Sequence, residues 1–210
     1  MINSTRINVR RFKSMQIALG EMQRYWYRDH LRTGSEFDQL NGLRSREIQG
    51  NWLIAAALNH DAGSERWSFT SERAGEHGVD GYLYDSTVNC GYPTEHTLAL
   101  EFGDAPTTTT EDRIIGAIIK KQMRGGAQYA KGKILVVMVE GGEQIWHPNA
   151  VARKLPPHDF ADIWVVAFQR IAEDHRIYAV TNLQLLDQNV PTWLVAISPD
   201  FTAWSVKRTQ

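Results

Sequence analysis

The sequence predicts an α/β domain, a central mixed sheet flanked by helices, and three observations lead there. The spacing of apolar residues changes along the chain, from a helical period to short continuous runs. Ile134 to Val139 is an unbroken apolar run, which reads as a central strand covered on both faces. Just before it, Ile114, Ile115, Ile118, Ile119 and Met123 recur at helical spacing, so strand and helix alternate as layered α/β folds require.

Taken in order, the elements begin with a helix over 14–31, carrying Met15, Leu19, Met22, Trp26 and Leu31 on one side. Arg10, Arg11, Lys13, Arg24, Arg28 and Arg32 accompany it, either as a solvated face or as a phosphate-contacting arm. After a polar break from Gly34 to Gly42, a second helix runs from Ser45 to Asn59, with Ile48, Trp52, Ala55 and Ala56 on one face and Glu47, Asn51 and Ile54 beside it. Short strands follow at 66–70 and 79–84. The segment 85–94, with Asn89, Gly91 and Pro93, reads as a connection, and the next strand runs over 96–102. Thr109 and Asp112 have the spacing of a helix start, opening a helix over 111–124 that Gly125-Gly126 weakens or ends. The remaining strands are 133–140, 163–168 after the Pro156-Pro157 loop, 177–180 and 193–197.

The chain of 210 residues, 42% hydrophobic, suffices for one sizeable core. The expected organisation is a single domain over 1–210. Residues 1–44 form a helical extension, 45–170 the core, and 171–210 strands that complete it. No apolar stretch approaches the roughly 18 residues of a membrane span, so no membrane partner is expected. The start of the chain has no signal-peptide core. Cys90 is the single cysteine, which excludes an internal disulfide and suggests a reducing, cytoplasmic setting. The net charge of −1 gives no whole-chain signal for nucleic acid, although local patches remain open.

Chemistry concentrates in three acidic residues: Glu47 in the helix before the sheet, Asp80 in a strand region, and Glu101 at the end of the next strand. A carboxylate in an apolar strand is costly without a partner or a metal. Two on adjacent strand ends can share Mg²⁺, which takes oxygen ligands and activates water against phosphate; pairing of Glu101 with an arginine is the plainer alternative. No zinc-like Cys/His cluster, phosphate-cradling glycine loop or serine-nucleophile motif accompanies them.

The order of helix with Glu47, Val79-Asp80-Gly81, Leu98-Ala99-Leu100-Glu101, helix 111–124 and strand 133–140 resembles the PD-(D/E)xK, or restriction endonuclease-like, nuclease superfamily over about residues 45–170. The resemblance implies a restriction endonuclease-like core and an Mg²⁺-dependent deoxyribonuclease, with Mn²⁺ as substitute. Asp80, Glu101 and Glu47 would be the metal and catalytic carboxylates. Where the motif has lysine, this chain has Gly103, so a lysine must come from elsewhere. Lys121 is the better candidate and Lys120 the other, with Gln122 and Gln128 as polar substitutes. Lys121 lies off the Ile115–Ile119–Met123 stripe, with Ala117 and Gly125 one turn to either side. Gln128-Tyr129 resembles the helix glutamine and tyrosine of some family exonucleases, without the usual spacing. His77 is a secondary base candidate, and Trp146 a candidate for stacking on a base.

Three functions therefore stand. The first is metal-dependent phosphodiester hydrolysis of DNA. The second is a catalytically reduced nuclease fold that binds DNA or a protein without cleavage. The third is a structural homodimer built through apolar strands and surface tryptophans.

Overall fold

The computed structural model describes residues 14–26, 45–70, 78–99, 108–139 and 146–210. In chain order its elements are α1 (Met15–Trp26), α2 (Ser45–Ala62), β1 (Trp67–Thr70), β2 (Gly81–Asp85), β3 (Cys90–Ala99), α3 (Thr110–Ala130), β4 (Ile134–Val139), α4 (Pro148–Lys154), β5 (Asp162–Ala172), β6 (His175–Asn182), β7 (Thr192–Ile197) and β8 (Trp204–Arg208).

The eight strands form one sheet in sequence order, β1 to β8. β1, β2 and β3 are an antiparallel meander. β3, β4 and β5 run parallel, joined through α3 and α4, and β5 to β8 form a second antiparallel meander. β4 is the pivot. All six of its residues are buried, as its apolar run predicts. Ile134, Val136 and Met138 join the core under α1 and α2, whereas Leu135, Val137 and Val139 join the core under α3 and α4. This is the period-2 alternation of a strand covered on both sides.

α2 is buried almost all round: Trp52, Leu53, Ile54, Ala55 and Ala57 have no accessible surface. It lies directly on the sheet at Gly50, where a Cβ would come 3.2 Å from Val136 Cγ1 and 3.3 Å from His96 Nε2. α1 and the β7–β8 turn close its outer side. The Trp52 indole N–H donates to the Met15 carbonyl at 2.9 Å, and its ring meets Trp204 edge-on at 5.3 Å. α3 buries only a stripe, Thr110, Ile114, Ile118 and Ala130. Its start is the expected one: the Thr109 hydroxyl accepts from the Asp112 N–H at 3.1 Å. Gly125-Gly126 interrupts the helix without ending it. Gly126 takes a left-handed φ of 73°, and helix resumes to Ala130.

The sequence-based elements need several corrections: α4 is additional, α3 runs on to Ala130 rather than ending near 124, and Ile119 and Met123 of its expected apolar stripe are exposed. The segment 85–94 is a tight turn followed by strand: β3 starts at Cys90 and ends at Ala99, whereas the strand was expected over 96–102. Pro93 sits inside β3 opposite Tyr82, one residue before β4 begins to pair at Thr94. Its missing N–H therefore costs no ladder bond. Asp80 immediately precedes β2 rather than lying within it. A final strand, β8, was not expected. The first helix is described only to Trp26, and Arg10, Arg11, Lys13, Arg28 and Arg32 lie outside the described residues.

Candidate functional site

The site forms where β2 and β3 part. β2 begins at Gly81, opposite Thr94, and the Asp80 N–H donates to the Thr94 carbonyl at 3.0 Å. Two residues further along β3, the His96 N–H donates to Asp80 Oδ2 at 2.8 Å. The carboxylate thus takes a backbone donor that β2 does not reach. Alternation along β3 sends His96 toward α2 and its neighbour Glu95 toward α3.

Glu95 is the residue that sequence reading missed. Its side chain is 3% exposed, yet both oxygens are engaged. Lys133, just before β4, donates to Oε1 at 2.8 Å and to the Gly78 carbonyl at 2.8 Å. One ammonium therefore ties Glu95 to the turn that carries Asp80. The Tyr129 hydroxyl donates to Oε2. Burial, then the hydrogen bond to Glu95 and its charge, push the Tyr129 hydroxyl far above its ordinary range, so it stays a donor. The Gly125-Gly126 interruption makes this contact possible. A Cβ on Gly125 would lie 2.1 Å from the Tyr129 ring, so the tyrosine folds back across a position only glycine leaves open.

Lys121 completes the group. From α3 its ammonium reaches Glu95 Oε2 at 3.0 Å, the His96 carbonyl oxygen at 3.0 Å and Asp80 Oδ2 at 3.8 Å. Two carboxylates and one main-chain carbonyl therefore surround a single cation. Next to them a cleft of about 560 Å³ opens between β3 and α3. Five basic residues, Arg46, Arg113, Lys120, Lys121 and Arg124, line it against Asp80 and Asp112.

The expected site residues fall as follows. Asp80 and Lys121 lie together. Glu101 lies outside the described residues, as does His77. Glu47 is 2% exposed within α2, and the cleft-lining residue of that helix is its neighbour Arg46. No three His, Cys, Asp or Glu side chains among the described residues gather as a metal-ligand set, so Glu47 does not complete a three-carboxylate shell there. Lys120 lines the cleft. Gln122 is engaged with Asp159 on the far side of α3, and Gln128 is exposed. Trp146, 9% exposed, is part of the core under α3 and α4 rather than a platform for a base.

Comparison with known proteins returns no significant match: no family model, no curated protein and no solved structure matches the chain. Among the described residues no helix is long and apolar enough to cross a membrane.

Proposed function

We propose that the chain is a metal-dependent phosphodiesterase acting on DNA, with Asp80, Glu95 and Lys121 at its centre. The observation that carries the reading is the oxygen set around the Lys121 ammonium, drawn from Asp80, Glu95 and the His96 carbonyl. Carboxylate and carbonyl oxygens are the donors a hard cation prefers. Mg²⁺ in particular takes few protein ligands and keeps several waters, so two carboxylates and one carbonyl fit it. When bound, Mg²⁺ would supply an activated water and offset charge at the phosphoryl group.

The chain's own residues do the rest. Lys133 and Tyr129 hold the Glu95 carboxylate in one orientation. Arg46, Lys120 and Arg124 give the cleft the charge that a phosphodiester needs. Lys121 offers a point charge to a phosphoryl oxygen, the work of the motif lysine, whose place two residues after Glu95 is taken by Thr97. The basic lining of the cleft supports a phosphate ester as ligand; the choice of a DNA phosphodiester comes from the resemblance to the PD-(D/E)xK superfamily. Glu95 takes the role first expected of Glu101.

The test is Mn²⁺- and Mg²⁺-dependent cleavage of single- and double-stranded DNA by the wild type, Asp80→Asn, Glu95→Gln, Lys121→Ala and Glu101→Ala. The first three variants should lose about 100-fold or more in rate while remaining folded. Loss in Glu101→Ala with Glu95→Gln unaffected would return the role to Glu101. Equal rates in all five proteins would sink the site. One observation also favours a second reading, a nuclease fold that binds without cutting: the cage already has a cation in Lys121. It predicts salt-dependent DNA binding in the wild type with no metal-dependent product.

A further inference from the structure

The two lysines on Glu95 are not equivalent. Lys133 is fixed from three directions: Glu95 Oε1 at 2.8 Å, the Gly78 carbonyl at 2.8 Å, and the Tyr129 ring face, whose centroid lies 4.0 Å from its ammonium. Lys121 reaches its three oxygens from the cleft side of α3, on a side chain that itself lines the open cleft. Its ammonium is 5.7 Å from the same Tyr129 ring, so a partial foothold lies beside its present position.

We propose that Lys121 is the resident counter-ion of the Asp80–Glu95–His96 oxygen cage and exchanges with the divalent cation, so that the protein's own ammonium sets its metal affinity. This rests on the reading above, in which those oxygens bind a divalent ion. Such an ion sits about 2.1 Å from its oxygen ligands. An ammonium 3.0 Å from two of the same oxygens would then lie in the same small volume. Two cations that close repel strongly in a partly buried site, and one must leave. Lys121 can leave cheaply. Its flexible four-carbon stem opens onto the cleft, and Glu95 keeps Lys133 and Tyr129 when it goes. The displaced ammonium then points into the cleft among Arg46, Lys120 and Arg124, where a phosphoryl oxygen would be its next partner. Exchange thus couples the two binding events. Metal entry releases Lys121 toward the phosphate, and a phosphate in the cleft draws Lys121 out of the cage and eases metal entry.

The test measures Mn²⁺ binding to the full chain without nucleic acid, by titration calorimetry and by the electron spin resonance of free Mn²⁺. Lys121→Met and Lys121→Gln should bind Mn²⁺ about tenfold or more tighter than the wild type, because the competing charge is gone. Lys133→Met also removes a positive charge beside Glu95 but not one in the ion's own position, so it should tighten binding less than the Lys121 variants do; equal tightening would show general charge relief and overturn the exchange. Circular dichroism confirms that each variant is folded. If the wild type binds Mn²⁺ and both Lys121 variants bind it equally or less tightly, the exchange is overturned while the metal site stands. If no protein binds Mn²⁺, Lys121→Met included, the metal reading fails and the exchange fails with it.

Discussion

α2 and α3 flank the same sheet and do opposite things. α2 is buried on nearly every side and apolar from Trp52 to Ala57, closed in by α1 and by Trp204 of β8. α3 presses one stripe onto the sheet and leaves the rest to solvent, with Met123 79% exposed. The enclosed layer supplies stability through apolar burial. The open layer can hold charged groups against the sheet because water and the cleft remain within reach, which lowers the cost of placing Glu95, Lys121 and Lys133 there. A buried helix fixes the strand ends; a half-covered helix brings chemistry to them.

Three changes would break or sharpen this contrast. The largest effect is expected at Trp52→Ala, which opens the α2 layer at its centre. It should cost about 3–5 kcal/mol in urea unfolding, as large aromatic truncations in closed cores do. A loss below about 1 kcal/mol would show that α2 is not the stabilising layer.

A smaller and more local effect is expected at Gly125→Ala. The added methyl collides with the Tyr129 ring, so stability should fall by about 1–3 kcal/mol and the Tyr129–Glu95 contact should be lost. Coupling reveals the cause. Tyr129→Phe should destabilise the wild type, yet have almost no effect in the Gly125→Ala background. Additive losses would mean that the glycine serves the helix and not the tyrosine.

The smallest effect lies in the turn that closes the α2 layer. Phe201 is buried there, and the Asp200 carboxylate accepts from the Ser198 and Thr202 hydroxyls and from the Thr202 N–H. Those hydrogen bonds, Ser198 first, lower its pKa to about 2, against an ordinary value of 3.8. The folded value lies below the unfolded one, so the contribution is present above the unfolded pKa and disappears as pH falls toward about 2. Thermal melts of Asp200→Asn should lose that part of the acid dependence and match the wild type's slope at neutral pH. An unchanged acid profile would place the titration elsewhere.

The contrast also explains what was legible in the sequence. Ile134 to Val139 and the stripe of Ile114 and Ile118 follow from hydrophobic period alone, and so does the mixed architecture they imply. Lys121 is the expected lysine for a reason the structure reverses: the Ile115–Ile119–Met123 side it avoids is the exposed one, with Met123 79% exposed, and Lys121 follows Ile114 and Ile118 on the face turned to the sheet, which is how it meets the carboxylates. Glu95 was not legible. A proline at 93 marks a stop in sequence, which puts the strand's start after the glutamate; only the later start of β4 pairing lets a proline sit inside β3. Gly125-Gly126 was recognised as a helix breaker, but its service to Tyr129 depends on a fold-back that has no local pattern. Lys133 carries no sequence signal either, since its partners Gly78 and Glu95 are 55 and 38 residues away.

Among the described residues the sheet is open rather than closed and ends at β8, and an edge strand is a template for a foreign strand. That edge is short, five residues ending in Lys207 and Arg208. Arg208 is held in place by Asp61 at 3.0 Å, while Lys207 projects into solvent. A second copy adding edge-on in parallel register would set Lys207 and Arg208 beside their own copies, like charge against like charge. The sequence that ends the sheet thereby also discourages its continuation from one molecule into the next.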